Sequence, residues 1–416
     1  MRSAIDDADR RIRAPAGDSE GVRTTPLIRS PRLERELACR RLRLKLECIQ
    51  SSGSFKLRGA TYAVERHHQR DGRCVFVASS AGNHGLGLAV AAANRGHRCH
   101  VFMPTTAPLT KKLAIERYAT EIHLQGDGFD ATQRIAKDFA AARGYTYVHP
   151  FNDLDVVAGQ GTIGLELIAQ MDEAGEDPPD FLVVPCGGGG LLAGIAIAVE
   201  ERWPATRIVA VEPREIPSLT AAFRQGAPRA IEGKPTIADG VAVAEVGDRV
   251  FPILADRVDA SDVWTVPEDL VAAAIAKCVE DVRVVAEGAG ALPLAGVMQR
   301  QALDPELFRR RSIILLVSGG NLDITALSKV LQRGLELQQR RTHFHITVPD
   351  VPGKLAEITS LLAALRLNII DLRHARNTDR ASFGYAEVDV VIETEGAGHA
   401  AEVEAKIRAA RFNLSP

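Results

Sequence analysis

Lys56 stands in the stretch SSGSFKLRGA (51–60) with no acidic residue beside it. A lysine amine is nucleophilic only when neutral. Burial or a nearby cation lowers its pKa and lets it condense with a carbonyl. Taken alone, such a lysine reads as an exposed helix charge, but several loops elsewhere change that reading. CGGGG (186–190) places four consecutive glycines, Gly187, Gly188, Gly189 and Gly190, between an apolar strand-like run and a helical run. Four glycines are costly in backbone entropy. Between strand and helix they free N–H groups to point at one anion, and the helix N-terminus adds its positive end. SSAGNHGLG (79–87) is a second strand-to-helix loop of a kind that suits a carboxylate, with Asn83 and His84 at the strand's carboxyl end. N-capping by Ser79 or Ser80 is its plainer use. VSGGN (317–321) ends an apolar run with Ser318, whose hydroxyl can donate to or accept from a buried heteroatom, or simply belong to a turn. Glu287, opening EGAGA (287–291), is either a helix cap or a site carboxylate.

A Schiff-base lysine, a phosphate nest, a carboxylate nest and a polar group for a ring nitrogen are together what pyridoxal phosphate chemistry requires. A nicotinamide-dependent dehydrogenase is the rival from a different class. Gly188-x-Gly190-x-x-Ala193 loosely fits the dinucleotide fingerprint, and Glu212 follows at roughly the expected 20 residues. That rival leaves Lys56 and SSAGNHG unexplained. The P-loop reading fails, because Gly233-Lys234 and Gly353-Lys354 both lack the following Ser or Thr. Metal readings are poor. There is no H-E-x-x-H, His67-His68 reads as a solvated helix pair, and His343 and His345 share one strand face without further ligands.

These residues need a large scaffold. The chain has 416 residues, 46% hydrophobic and 25% charged, which predicts a globular protein of two or three domains. A formal net charge of −2 and 5% aromatic content offer nucleic acid neither a basic face nor stacking platforms. Six scattered cysteines form no C-x-x-C pair, so a reducing, cytoplasmic setting is expected. The N-terminus lacks a signal-peptide pattern, and no run suits a membrane span. From about 41 to 330, short apolar runs alternate with Ala-rich helical stretches: CVFVA, CHVFMP, FLVVP, IVAVEP and SIILLVSGG are strand candidates. That order predicts parallel α/β architecture, with ligands beyond the carboxyl ends of strands, where each Gly-rich loop falls. After a polar connector near 330–342 the pattern becomes β-α-β-β-α, a small α+β domain of ferredoxin-like plan. Its last strand can come only from the FNLSP tail.

TTPL (24–27), LKLE (44–47), SGSFKLRGA (52–60), SSAGNHGLG (79–87), AGQGTIGLE (158–166), CGGGGL (186–191), ADGVAV (238–243) and SGGNLD (318–323) fall in order. Together they resemble the threonine dehydratases (threonine ammonia-lyases) of the tryptophan synthase β-like pyridoxal phosphate superfamily, over about residues 20–330. The tail, with PDVPGKLAEI and LNIIDLRHAR, resembles an ACT domain. The resemblance implies a fold-type II catalytic domain over 1–335, with a small subdomain at about 45–150 inserted, and an ACT regulatory domain over 341–416. Carried over by motif, Lys56 holds the cofactor aldehyde, Phe55 packs beside the ring, and Asn83 bonds the ring 3-oxygen. The four glycines bind the phosphate, Ser318 faces the pyridine nitrogen, and Glu287 counts among the cofactor-binding residues. Ser80, Ala81, Gly82 and His84 line the substrate carboxylate. Glu212, the Ile216 carbonyl and Ser218 resemble a position for a monovalent or divalent cation.

The implied reaction converts L-threonine to 2-oxobutanoate and ammonia, and L-serine to pyruvate, with freed Lys56 as general base. A neutral Ser318 at the ring nitrogen favours prompt β-elimination. Serine racemase/dehydratase and 3-hydroxyaspartate ammonia-lyase are the alternatives within the family. The resemblance also implies a role in isoleucine biosynthesis or threonine catabolism, a homo-oligomer (dimer or tetramer), and isoleucine or valine as an effector at the ACT domain. No nucleic-acid or membrane partner is expected.

Overall fold

The computed structural model describes residues 1–13, 20–80, 82–118, 120–376 and 383–415. Ala81, one of the expected carboxylate-side residues, lies outside the described residues. The chain divides into two compact units, Met1–Ile324 and Thr325–Pro416.

The strands of the first unit are β1 (Leu27–Arg29), β2 (Arg41–Leu46), β3 (Val75–Ser79), β4 (Arg98–Met103), β5 (Glu121–Leu124), β6 (Thr146–Tyr147), β7 (Phe181–Pro185), β8 (Arg207–Pro213), β9 (Val263–Val266) and β10 (Ser312–Val317). They form a six-stranded sheet in the order β1-β2-β10-β7-β8-β9 and a four-stranded sheet in the order β5-β4-β3-β6. Every pairing is parallel except β1 with β2. Parallel neighbours need crossover helices, and those helices bury both faces of the sheet. This is why the strands read as continuous apolar runs: every residue of β7 and of β10 is buried. The helix Gly190–Val199 is likewise buried at every position and packs into the core of the large sheet.

Glycine contacts position the helix that carries Lys56. That helix, Lys56–Asp71, lies between the helices Asn83–Asn94 and Leu154–Glu173. A Cβ on Gly87 would meet the Leu57 nitrogen at 3.2 Å, and one on Gly159 would meet the Gly59 Cα at 2.6 Å. Both neighbours therefore approach backbone to backbone, and the first turn around Lys56 has little room to shift.

The second unit carries β11 (Arg341–Pro349), β12 (Ile369–Arg376), β13 (Tyr385–Glu393) and β14 (Asn413–Ser415) in the antiparallel order β12-β13-β11-β14. Helices Lys354–Ala364 and Ala397–Ala409 complete it, over a core that includes Phe344, Ile346, Val388 and Ile407. The C-terminal tail supplies the final edge strand, which is only three residues long. Among the described residues, no helix is long and apolar enough to cross a membrane.

Candidate active site

A cavity of about 490 Å³ lies in the first unit, lined by residues from the carboxyl ends of β3, β7 and β10, as open α/β sheets dictate. Lys56, Phe55, Ser80, Gly82, Asn83, His84, the four glycines 187–190, Glu287 and Ser318 all border it. Two loops are hydrogen-bonded into one wall. Phe55 N–H donates to the Ser318 carbonyl at 3.0 Å and Gly320 N–H to the Gly53 carbonyl at 2.9 Å. Asn321 Nδ2 donates to the Ser52 carbonyl at 2.8 Å. Gly53 sits at φ +74°, a backbone conformation that suits glycine. Lys56 and Ser318, far apart in sequence, are neighbours because of these bonds.

Lys56 Nζ donates to the Pro150 carbonyl at 2.9 Å and lies 5.1 Å from the Phe55 ring centroid. Burial lowers its pKa from 10.5 to about 8, and the Glu287 carboxyl opposes that shift only in part. The residue keeps some exposed surface because it borders the cavity, but its amine is enclosed by protein atoms. Such an amine reaches its neutral form far more readily than a surface lysine.

Asn83 Nδ2 donates to Glu287 Oε1 at 2.7 Å, and Asn321 Nδ2 donates to Asn83 Oδ1 at 2.8 Å. Burial raises the Glu287 pKa to about 7, with the Asn83 hydrogen bond working against it. A buried carboxyl thus faces the cavity poised between its two protonation states. His84 is buried and held neutral, its pKa lowered to about 3 by burial and then by the Lys56 charge. Its Nε2 lies 2.9 Å from the Val148 carbonyl, which fixes Nε2–H as a donor and leaves Nδ1 without a partner. A neutral ring cannot offer an anion a positive charge. Ser80 Oγ accepts from Gly82 N–H at 3.2 Å, so part of that loop's polarity serves the turn.

The glycine loop has steric causes that sequence could not show. A Cβ on Gly188 would fall 2.2 Å from the Phe151 ring, one on Gly187 2.8 Å from Val241 backbone, and one on Gly190 2.7 Å from the Phe151 carbonyl. Gly189 has φ +88°. Packing alone therefore demands glycine at each position. What packing does not explain is the donors: the N–H groups of Gly187, Gly188 and Gly190 have no acceptor among the described residues. Unpaired N–H groups at a buried helix N-terminus are an anion site. Together with an enclosed amine and the Asn83–Glu287 pair, this donor set fits a phosphate-bearing pyridine aldehyde such as pyridoxal phosphate.

Glu212 meets backbone donors in this structure. Its carboxylate accepts from Leu219 N–H at 2.9 Å and from Thr220 N–H at 2.8 Å, capping the helix Ser218–Gln225. Ser218 Oγ is buried without a partner. Sequence reasoning missed Asn321 as a positioning residue, although it sits in the quoted VSGGN stretch. It also missed Pro150, whose part is played by a backbone carbonyl and so leaves no signal in residue type.

Behind Lys56, the same helix carries Arg58 in a closed ion cluster. Arg58 bonds Glu47 at 2.8 Å and Glu166 at 2.8 Å, and Lys45 Nζ bonds Glu166 at 2.7 Å. All four side chains are at most 1% exposed.

The family profile described as "Pyridoxal-phosphate dependent enzyme" matches residues 19–319. An L-threonine ammonia-lyase of Thermotoga maritima is 36% identical over 363 residues, covering 87% of this chain and 87% of that protein. An L-threonine ammonia-lyase of Geobacter sulfurreducens is 36% identical over 399 residues, covering 96% of this chain and 95% of that protein. Among solved structures, the threonine deaminase of T.th. superposes with a TM-score of 0.70 at 36% identity, covering 77% of this chain and 98% of that one.

Proposed function

The chain belongs to the pyridoxal-phosphate dependent enzyme family, and we propose that its cavity eliminates water from L-threonine to yield 2-oxobutanoate and ammonia, making it a threonine ammonia-lyase of fold-type II. L-Serine, one methyl smaller, gives pyruvate by the same route. The observation that carries the reading is the enclosed, carboxylate-poor position of Lys56 opposite a row of unpaired glycine N–H groups.

When bound, the cofactor supplies an electron sink for the charge left at the substrate Cα. The chain does the remainder. The N–H groups of Gly187, Gly188, Gly189 and Gly190 would hold the phosphate, with Phe55 beside the ring. Asn83 and Glu287 would hold its polar edge, and Ser318 would serve the ring nitrogen. Ser318 is neutral, so it places no carboxylate opposite that nitrogen. The N–H groups at the start of the helix Asn83–Asn94, with Ser80 and Gly82, receive the substrate carboxylate. His84 serves here through its backbone, since its ring is neutral and bonded to Val148. The Lys56 amine, steadied by the Pro150 carbonyl, takes the Cα proton as general base. The β-hydroxyl takes up a proton and leaves as water, and the released enamine tautomerises to an imine that a water molecule hydrolyses to 2-oxobutanoate and ammonia. Lys111 and Asp239, both on the cavity wall, form an ion pair at 2.5 Å that helps shield the chemistry from solvent.

A 2-oxoacid assay across L-threonine, L-serine and 3-hydroxyaspartate tests this reading. Turnover of L-threonine that disappears in Lys56→Ala is expected. A colourless protein that binds a nicotinamide cofactor and releases no 2-oxoacid would overturn it.

The second unit, Thr325–Pro416, is proposed to carry over residues 341–416 an ACT domain that binds isoleucine or valine. It contains a cavity of about 450 Å³ bordered by Glu336, Arg341, His343 and Glu404, charges of both signs that suit an amino-acid zwitterion. Isoleucine should change the rate of the full-length enzyme and lose that effect in Arg341→Ala. An unchanged response in that variant refutes the assignment. A cytoplasmic homo-oligomer, dimer or tetramer, completes the proposal, with a role in isoleucine biosynthesis or threonine catabolism.

A further inference from the structure

On the small sheet, parallel register sets His100 of β4 opposite Glu121 of β5, and Phe102 opposite His123. Side chains two apart share a sheet face, so His100, Glu121 and His123 converge on one side. His100 Nδ1 lies 3.1 Å from His123 Nε2 and 3.5 Å from Glu121 Oε2. One ligand atom from each of the three falls within 4.8 Å of the others. Two atoms each about 2.1 Å from a tetrahedral zinc ion stand about 3.4 Å apart. The spacing is therefore that of metal ligands before any side chain moves.

The rings are also held in place. His100 is 3% exposed and stacks on Tyr145 with an interplanar angle of 10°. His123 stacks on Phe102 at 4.4 Å between centroids. Arg98 Nη2 bonds Glu121 Oε1 at 2.6 Å, which turns Oε2 toward the histidines. His100 Nε2 is buried with no partner, so the ring's polar contacts run through Nδ1, toward His123 and Glu121. Strand β5 is the edge of its sheet and Glu121 is exposed, so a cation can enter from solvent.

We propose that His100, Glu121 and His123 form a binding site for a borderline divalent cation, zinc above all, that staples edge strand β5 to β4. Two imidazoles and one carboxylate select such an ion over calcium or magnesium. A water completes a tetrahedron. None of the three residues borders the catalytic cavity, so the site is separate from the elimination chemistry.

The test is a Co²⁺ titration of tag-free holoenzyme, followed by absorption between about 500 and 650 nm, with Zn²⁺ measured by competition. One ion per chain is expected, without a thiolate charge-transfer band. His123→Asn should weaken binding by about 100-fold and Glu121→Gln by about tenfold, while thermal unfolding of the wild type shifts upward with Zn²⁺ and that of His123→Asn does not. Glu121 is exposed, so its variant folds even if the histidine variant does not. Equal affinity in wild type and Glu121→Gln, cobalt absorption carried by a thiolate band, or no binding at all would each overturn the proposal.

Discussion

Lys56 and Arg58 stand two residues apart on one helix, both enclosed, and the protein treats their charges in opposite ways. Arg58 meets two carboxylates and, with Lys45, closes a cluster in which each charge has a counter-charge at bonding distance. Lys56 has a carbonyl and an aromatic ring, and the nearest carboxyl, Glu287, is itself pushed toward neutrality. A buried cation surrounded by anions is locked in its charged form, and Arg58 is driven well above its ordinary range. A buried cation denied anions is free to lose its proton. The helix thus separates anchoring from chemistry within one turn, and the anchor keeps the reactive residue in place.

The contrast can be broken first at its reactive side. Lys56→Ala should lower 2-oxobutanoate release by about 10³-fold or more, since the proposed covalent attachment point and general base are lost together. Circular dichroism and the denaturant midpoint should stay near wild type, because no ion pair is lost. A comparably large loss of stability would show that Lys56 is an anchor after all.

Arg58→Met breaks the other side. It strands Glu47 and Glu166 as buried carboxylates with only Lys45 and the more exposed Arg13 near Glu166 to balance them. A cost of about 3–5 kcal/mol in urea unfolding is expected. Activity per folded molecule should change far less than in Lys56→Ala. Equal damage to both quantities would merge the two roles that the structure keeps apart.

A smaller effect is expected at the phosphate loop. In Gly188→Ala, the new Cβ would fall 2.2 Å from the Phe151 ring. The strain of overpacking is about 1–3 kcal/mol. Equilibrium dialysis should find weaker pyridoxal phosphate retention, by roughly tenfold for each 1.4 kcal/mol that falls on the bound state. Unaltered retention would mean that the loop yields to the added methyl.

The same contrast explains what could be read from the sequence. Lys56, the glycine loop, Asn83 and Ser318 were legible because each lies in a short run whose composition is odd for its setting. The parallel sheets were legible from runs such as SIILLV, buried on both faces. Arg58 was not: an arginine in a helix looks exposed until Glu47 and Glu166 arrive from distant segments. His100, Glu121 and His123 were invisible for the same reason, since strand register rather than local spacing brings them together. The glycine loop was only half legible. Its length suggested anion binding, but the contacts with Phe151 and Val241 show that packing demands the same residues.

The subtlest test concerns pH in the cofactor-free protein. Folding lowers the Lys56 pKa from 10.5 to about 8, so the unfolded chain binds more protons between those values. Stability should therefore rise as pH climbs from about 8 to 10.5. Folding raises the Glu287 pKa from 4.5 to about 7, so here the native state binds more protons. Its contribution is fully present below 4.5 and is lost as pH rises through 7. Buried thiols raised above their ordinary value and buried histidines lowered below theirs shift stability in the opposite sense over the same ranges, so the two limbs are read from the differences in urea midpoint between wild type and variant at each pH. Lys56→Met should remove the upper limb and Glu287→Gln the lower one. Arg58 itself contributes no limb in this window, because it titrates far above it, whereas Lys45 of the same cluster, its pKa also lowered by burial, adds to the upper limb. If the wild-type and Lys56→Met curves run parallel from about pH 8 to 10.5, the unpaired amine sets no limb there, and the distinction between Lys56 and Arg58 fails as electrostatics.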